Sequence, residues 1–239
     1  MRNVDSLERK WIELFDELRC AADTKDKIAA PFLSIRAAEE RSILYVGKAT
    51  AKDWYRDDSA FGPPHPINKE AMDARVKERY ECAQEFVQNV APTYNSGFWQ
   101  FARELSAEAA KKWKVPFESP LQHITWTNIC KIGALKGNPR GLLFSKQRDL
   151  AIETLREEIN LYKPQLICFV TWNYAWDLVR EVFGDSTDEF WDQARNDEWI
   201  WCRRPRDGMP TALLTGHPER KPENLRKKWL NTARELLPE

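Results

Sequence analysis

Apolar residues along this chain follow two periods, and the switches between them mark out the elements. Short apolar runs rich in β-branched and aromatic residues stand at 42–47 (Ser-Ile-Leu-Tyr-Val-Gly), 123–127, 165–170, 199–202 and 211–214. Each reads as a buried strand, and the run at 165–170 as the most central of them. Between the runs, apolar positions fall three and four residues apart. Leu7, Trp11, Leu14, Phe15 and Leu18 predict an amphipathic helix over about 6–21 that packs on the body. Further helices are predicted over about 69–90, 98–113, 145–161, 173–183 and 222–237. Asn95 or Ser96 can cap the third of these six helices, Pro164 follows the fourth, Gly184 stops the fifth, and Pro222 lies near the first turn of the last.

Strands that are apolar throughout, alternating with helices, indicate a mainly parallel sheet covered on both faces. The expected fold is therefore α/β, a three-layer α/β/α sandwich in one domain over 1–239. In such sheets ligands bind outside the carboxyl ends of the strands, where Gly47, Asn128 and His217 all fall. The connection over about 53–68 carries Trp54, Tyr55, Phe61 and His65 among glycine and prolines, the kind of long loop that serves as a lid or binding loop.

Composition narrows the class. Formal net charge is zero, against a general basic coat, yet eight Lys or Arg lie between Lys111 and Arg148 against the single acid Glu118. The stretch 149–200 is acidic, so the surface is expected to be dipolar, with one face able to hold phosphates. Eleven tryptophans exceed what a core of this size needs, so some should line a ligand site. Five widely spaced cysteines read as reduced thiols, without the spacing of a metal or iron–sulfur site. No secretion signal and no apolar run of membrane-spanning length occurs, so a cytoplasmic protein is expected. Neither a phosphate-binding lysine loop nor a dinucleotide glycine fingerprint follows the first strand, and no cofactor is expected.

The candidate chemistry lies in three places. Thr215–Lys221 (Thr-Gly-His-Pro-Glu-Arg-Lys) follows an apolar strand and sets His217 beside Arg220 and Lys221, which suits a site where negative charge is bound or develops. Asn128 ends another strand, and its amide offers two donors and an acceptor to a planar polar edge. Lys48, Ala49, Ala51, Lys52 and Asp53 continue from the glycine that ends the first strand. The blander alternatives are that His217 sits in a surface turn, that Asn128 caps a turn, and that Phe98 and Trp99 are helix core.

Taken in order, these segments resemble the uracil-DNA glycosylase superfamily. Val46-Gly47-Lys48-Ala49 looks like its first motif, and Asn95-Ser96-Gly97-Phe98-Trp99 resembles the Asn-Arg-Phe-Trp element of its mismatch-specific branch. Thr127-Asn128 is similar to its Thr-Asn strand end, Lys163-Pro164-Gln165 to its proline-led central strand, and His217-Pro218 to its His-Pro motif. The resemblance implies an enzyme that flips a nucleotide out of DNA into a pocket and cleaves its glycosidic bond, and a monomer without a cofactor is expected. His217 would donate to the pyrimidine O2, Asn128 would read the base edge, and Phe98 or Phe61 would stack on its face. Gly47, Lys48, Ala49, Ala51 and Trp99 would line the pocket, with Lys131, Arg220 and Lys221 on the DNA.

The departures from the family pattern point further. Against the Gly-Gln-Asp-Pro-Tyr-His motif of the uracil-specific branch, Ala49 stands at the water-positioning aspartate and Ala51 at the tyrosine. Either Asp53 then activates water, or catalysis leans on His217 and electrostatics. Loss of the tyrosine removes the filter against substituents at pyrimidine C5. A base such as hydroxymethylcytosine or its glucosylated form, as in modified phage DNA, is the expected substrate, in a defence role. The alternatives are uracil or mismatch excision in repair, and a non-catalytic DNA-binding protein. A lyase step would need an amine at the sugar, which Lys48 or Lys52 could supply. Lysines are mostly solvated surface groups, so no such step is expected.

Overall fold

A computed structural model describes residues 3–20, 28, 34–36, 39–49, 77, 80–134, 137–185, 191–193, 200–206 and 208–239. Its centre is a sheet of strands β1 (Ile43–Gly47), β2 (Ile124–Asn128), β3 (Leu166–Phe169), β4 (Asp192–Gln193), β5 (Trp201–Arg203) and β6 (Thr211–Leu214). Their spatial order is β2-β1-β3-β6-β5-β4. β2, β1, β3 and β6 run parallel, and β5 and β4 extend the sheet antiparallel. The sheet is thus mostly parallel, as expected. The antiparallel edge was not, because the two-residue β4 has no apolar run to announce it.

Helices α1 (Asn3–Cys20), α2 (Gly97–Trp113), α3 (Gly141–Tyr162), α4 (Trp176–Val182) and α5 (Glu223–Leu236) flank the sheet. Alternate strand residues feed two separate cores. Ile43, Tyr45, Ile124, Trp126, Leu166, Cys168 and Leu213 meet α2 and α5 through residues such as Phe101, Leu105 and Trp229. Leu44, Val46, Ile167, Phe169, Ala212 and Leu214 meet α1, α3 and α4 through Trp11, Phe15, Leu155 and Val179. This period-two division is what a sheet buried on both sides requires, and it gives helix, sheet and helix layers.

Local chemistry sets the boundaries. Ser96 caps α2, its hydroxyl accepting from the Trp99 amide at 3.3 Å. α2 and α3 both end on left-handed lysines, Lys114 and Lys163. Residues 80–85 are α-helical and Phe86–Val90 widens into a π turn closed by the Ala91 amide on the Phe86 carbonyl at 2.8 Å, within the predicted helix over 69–90. The start of that helix and the aromatic loop at 53–68 lie outside the described residues. The antiparallel edge is stapled by Asp185, which accepts from Arg203 Nε at 2.8 Å and Trp191 Nε1 at 3.0 Å. No helix among the described residues is long and apolar enough to cross a membrane.

Candidate functional site

β1 lies between β2 and β3, so the connection leaving β1 and the one leaving β2 depart in opposite directions across the sheet. In open sheets, such a reversal is where ligands bind, in the crevice outside the carboxyl ends of the strands. Gly47 and Asn128 close β1 and β2 as direct register partners there. A methyl group on Gly47 would stand 2.3 Å from Asn128 Oδ1 and 3.3 Å from the Phe98 ring. Only glycine admits that amide and that ring together. Asn128 is 2 % exposed, and its Nδ2 has no hydrogen-bond partner among the described residues. A buried donor left without an acceptor costs about 1–3 kcal/mol, so this amide is poised to gain from a ligand that supplies one.

Phe98 enters from the first turn of α2. Its carbonyl accepts from the Tyr45 hydroxyl at 2.9 Å and its ring lies 4.7 Å from that of Tyr45. Its ring also stacks on that of His217, at 5.7 Å with 25° between planes. His217 comes from the loop after β6, and Gly97 anchors this loop: a Cβ there would stand 2.6 Å from the Pro218 carbonyl oxygen. Gly216 is equally constrained by the Trp229 ring, 2.9 Å from where its Cβ would be. The loop is therefore clamped between the starts of α2 and the body of α5.

The Glu219 amide donates to His217 Nδ1 at 3.3 Å, which leaves the proton on Nε2. Burial first, then Lys48 and Lys221, lowers the pKa of His217 to about 4, so the ring is neutral at pH 7. Lys48 is itself pushed below its ordinary value, by burial and then by Lys221. Its backbone is fixed on both sides of the strand end. The Gly47 carbonyl accepts from Ile129 and the Lys48 carbonyl from Cys130, both at 2.9 Å. Its ammonium lies 5.7 Å from the centre of the Tyr174 ring. The site thus combines an aromatic face, an orphan amide donor, an imidazole N–H and two cations, a set suited to a planar ring that carries or develops negative charge.

Gly47, Lys48, Phe98, Asn128, His217 and Lys221 come together as expected. Ala49 is half-buried and packs toward the α1, α3 and α4 core. Arg220 is exposed in the turn beyond His217, with a left-handed φ of 57°. Ala51, Asp53 and Phe61 lie outside the described residues. Two expectations need correction. Trp99 points away from the site into the core, 2 % exposed, against Phe86 and Trp126, because it sits one residue round the helix from Phe98. Lys131 cannot reach a phosphate: it is fully buried, donating to Glu158 at 2.7 and 3.0 Å and to Thr127.

Tyr174 is the residue that sequence reasoning missed. Its position just past the carboxyl end of β3 was the available signal, hidden because a helix was predicted from Asn173. Trp172 and Ala175 take positive φ instead, and α4 starts only at Trp176. Tyr174 donates to the Pro139 carbonyl at 2.7 Å and lies 3.3 Å from Cys130 Sγ, which fixes its ring beneath Lys48. No protein-family model and no curated protein sequence matches the chain.

Proposed function

We propose that this protein is a DNA glycosylase that flips a pyrimidine nucleotide into the crevice at Gly47, Asn128 and His217 and cleaves its N-glycosidic bond. The observation that carries the reading is the buried amide of Asn128, whose Nδ2 has no partner among the described residues, beside Gly47 and the Phe98 ring on which a neutral His217 stacks. Cleavage breaks the N1–C1′ bond and leaves its electron pair on the base, where charge spreads to O2. The His217 Nε2–H donates to that oxygen and strengthens as charge grows, without having to give up its proton. Water adds at C1′ and loses a proton, which leaves an abasic site and the free base. Asn128 supplies a donor to the base edge, Phe98 its stacking surface, and Arg220 with Lys221 contact to the backbone.

The substrate class rests on the sequence resemblance: Ala51 stands where the uracil-specific branch has its blocking tyrosine, and that replacement would remove the filter against a C5 substituent. The proposed substrate is therefore a C5-modified cytosine, hydroxymethylated or glucosylated, excised by a monomer acting in defence against modified phage DNA. The test is to incubate the protein with matched duplexes carrying cytosine, uracil, hydroxymethylcytosine or its glucosylated form and to count alkali-labile sites. Sites are expected in the modified duplexes, and His217→Ala should lower the rate by about 100- to 1,000-fold, as loss of one oxyanion donor does. Sites in uracil DNA alone would overturn the C5 assignment, and none in any duplex would favour the non-catalytic, DNA-binding reading.

A further inference from the structure

Lys48 has the setting of an amine nucleophile, not of a surface lysine. It is half-buried at the carboxyl end of β1, its backbone is held by hydrogen bonds from Ile129 on the preceding residue and from Cys130 on its own carbonyl, and its side chain rests over the fixed Tyr174 ring. Among the described residues no carboxylate forms a salt bridge with it, whereas the exposed lysines Lys10, Lys111, Lys146 and Lys227 all have one. The charges of Lys48 and Lys221 both bear on His217, the imidazole that faces the leaving base in the proposed reaction.

We infer that Lys48 forms a Schiff base with C1′ of the abasic sugar, giving the site a strand-cleaving lyase step. This inference rests on the reading of the crevice as a DNA site. Desolvation together with a neighbouring cation favours the neutral amine, the usual way a lysine becomes nucleophilic. After base loss the sugar equilibrates with its open-chain aldehyde. The Lys48 amine adds to C1′, and loss of one water gives the imine. A proton then leaves C2′ to solvent, the C3′–O bond breaks, and the phosphate departs with that electron pair. Water hydrolyses the imine and frees the amine, so the sequence needs no oxidant or reductant.

The experiment uses a duplex with one preformed abasic site, so base excision is bypassed and measured separately by release of free base. Borohydride reduces the imine to a stable amine and traps a covalent protein–DNA adduct that migrates as one band in a denaturing gel. Wild-type protein is expected to trap, Lys48→Arg to trap at least about tenfold less, and Lys111→Met, at an exposed lysine paired with Glu108 outside the crevice, to trap as wild type does. Gel-shift affinity of Lys48→Arg for the same duplex, measured in parallel, scales the adduct yield to the DNA actually bound and so separates loss of the nucleophile from loss of binding. An adduct of wild-type yield in Lys48→Arg, or no adduct with protein that still binds the duplex, overturns the inference. No binding to any duplex would instead overturn the DNA reading beneath it.

Discussion

At the scale of single residues the crevice depends on atoms that are absent as much as on those present. Gly47→Ala would drive a methyl group into Asn128 Oδ1, 2.3 Å away. The amide must move, and the expected cost is about 1–3 kcal/mol of stability, the range for overpacking, together with most of the excision rate. Urea unfolding beside the alkali-labile-site assay checks both, and an active Gly47→Ala protein would remove Asn128 from the mechanism. His217 supplies a pH signature. Its folded pKa is about 4 against 6.5 for an ordinary imidazole, so the unfolded chain takes up the proton first. The resulting stability is complete above pH 6.5 and is lost as pH falls from 6.5 to 4. The ceiling for such a shift is about 3 kcal/mol, and partial exposure of the ring brings it nearer about 2. Urea midpoints over that window should therefore fall more steeply for wild type than for His217→Gln; equal slopes would mean a solvated imidazole.

At the scale of elements, the end of β2 is held by charge buried against α3. Lys131 and the Thr127 hydroxyl both donate to Glu158, three residues within four positions of Asn128 or one helix away from it, all nearly or fully buried. Burial holds the Lys131 pKa below its ordinary value even with Glu158 pulling it up. Lys131→Met strands the carboxylate and is expected to cost about 3–5 kcal/mol, whereas pairing it with Glu158→Leu should recover much of that loss in urea unfolding. A single variant as stable as the double would show that water already reaches Glu158. This pair marks the limit of what the sequence discloses. Strand ends at Gly47 and Asn128, the Ser96 cap and the strand at 211–214 are legible because burial and capping leave local patterns. Whether a lysine after a strand meets solvent or a glutamate from a helix 27 positions on is a tertiary fact, with no local pattern to announce it. The same holds for Trp99 against Phe98, since adjacent helical residues diverge by about 100° and periodicity alone does not choose the ring that faces the ligand.

At the scale of the whole molecule, folding rearranges the charge that the chain segregates. Of the basic run between Lys111 and Arg148, Lys111 pairs with Glu108, Lys131 with Glu158, Lys146 with Glu17, and Arg148 with Glu181. Much of the basic face expected from sequence is therefore neutralised locally. Positive charge persists at the crevice: after burial, the first cause, Lys221 further lowers the pKa of Lys48, and Lys48 and Lys221 that of His217, with Arg220 exposed in the adjoining turn. DNA should accordingly approach the carboxyl ends of the parallel strands and not the helix faces. Fluorescence anisotropy of a labelled duplex, titrated between about 50 and 200 mM salt, measures the number of phosphates neutralised from the slope of log K against log salt. Arg220→Ala and Lys221→Ala should each weaken binding across sequences and reduce the slope by about 1. Lys111→Ala and Lys146→Ala should leave it unchanged, because each removes a cation whose field an adjacent carboxylate already cancels. The reverse pattern, with the helix lysines setting the slope, would move the duplex off the crevice and leave Asn128 and His217 without a nucleic-acid partner.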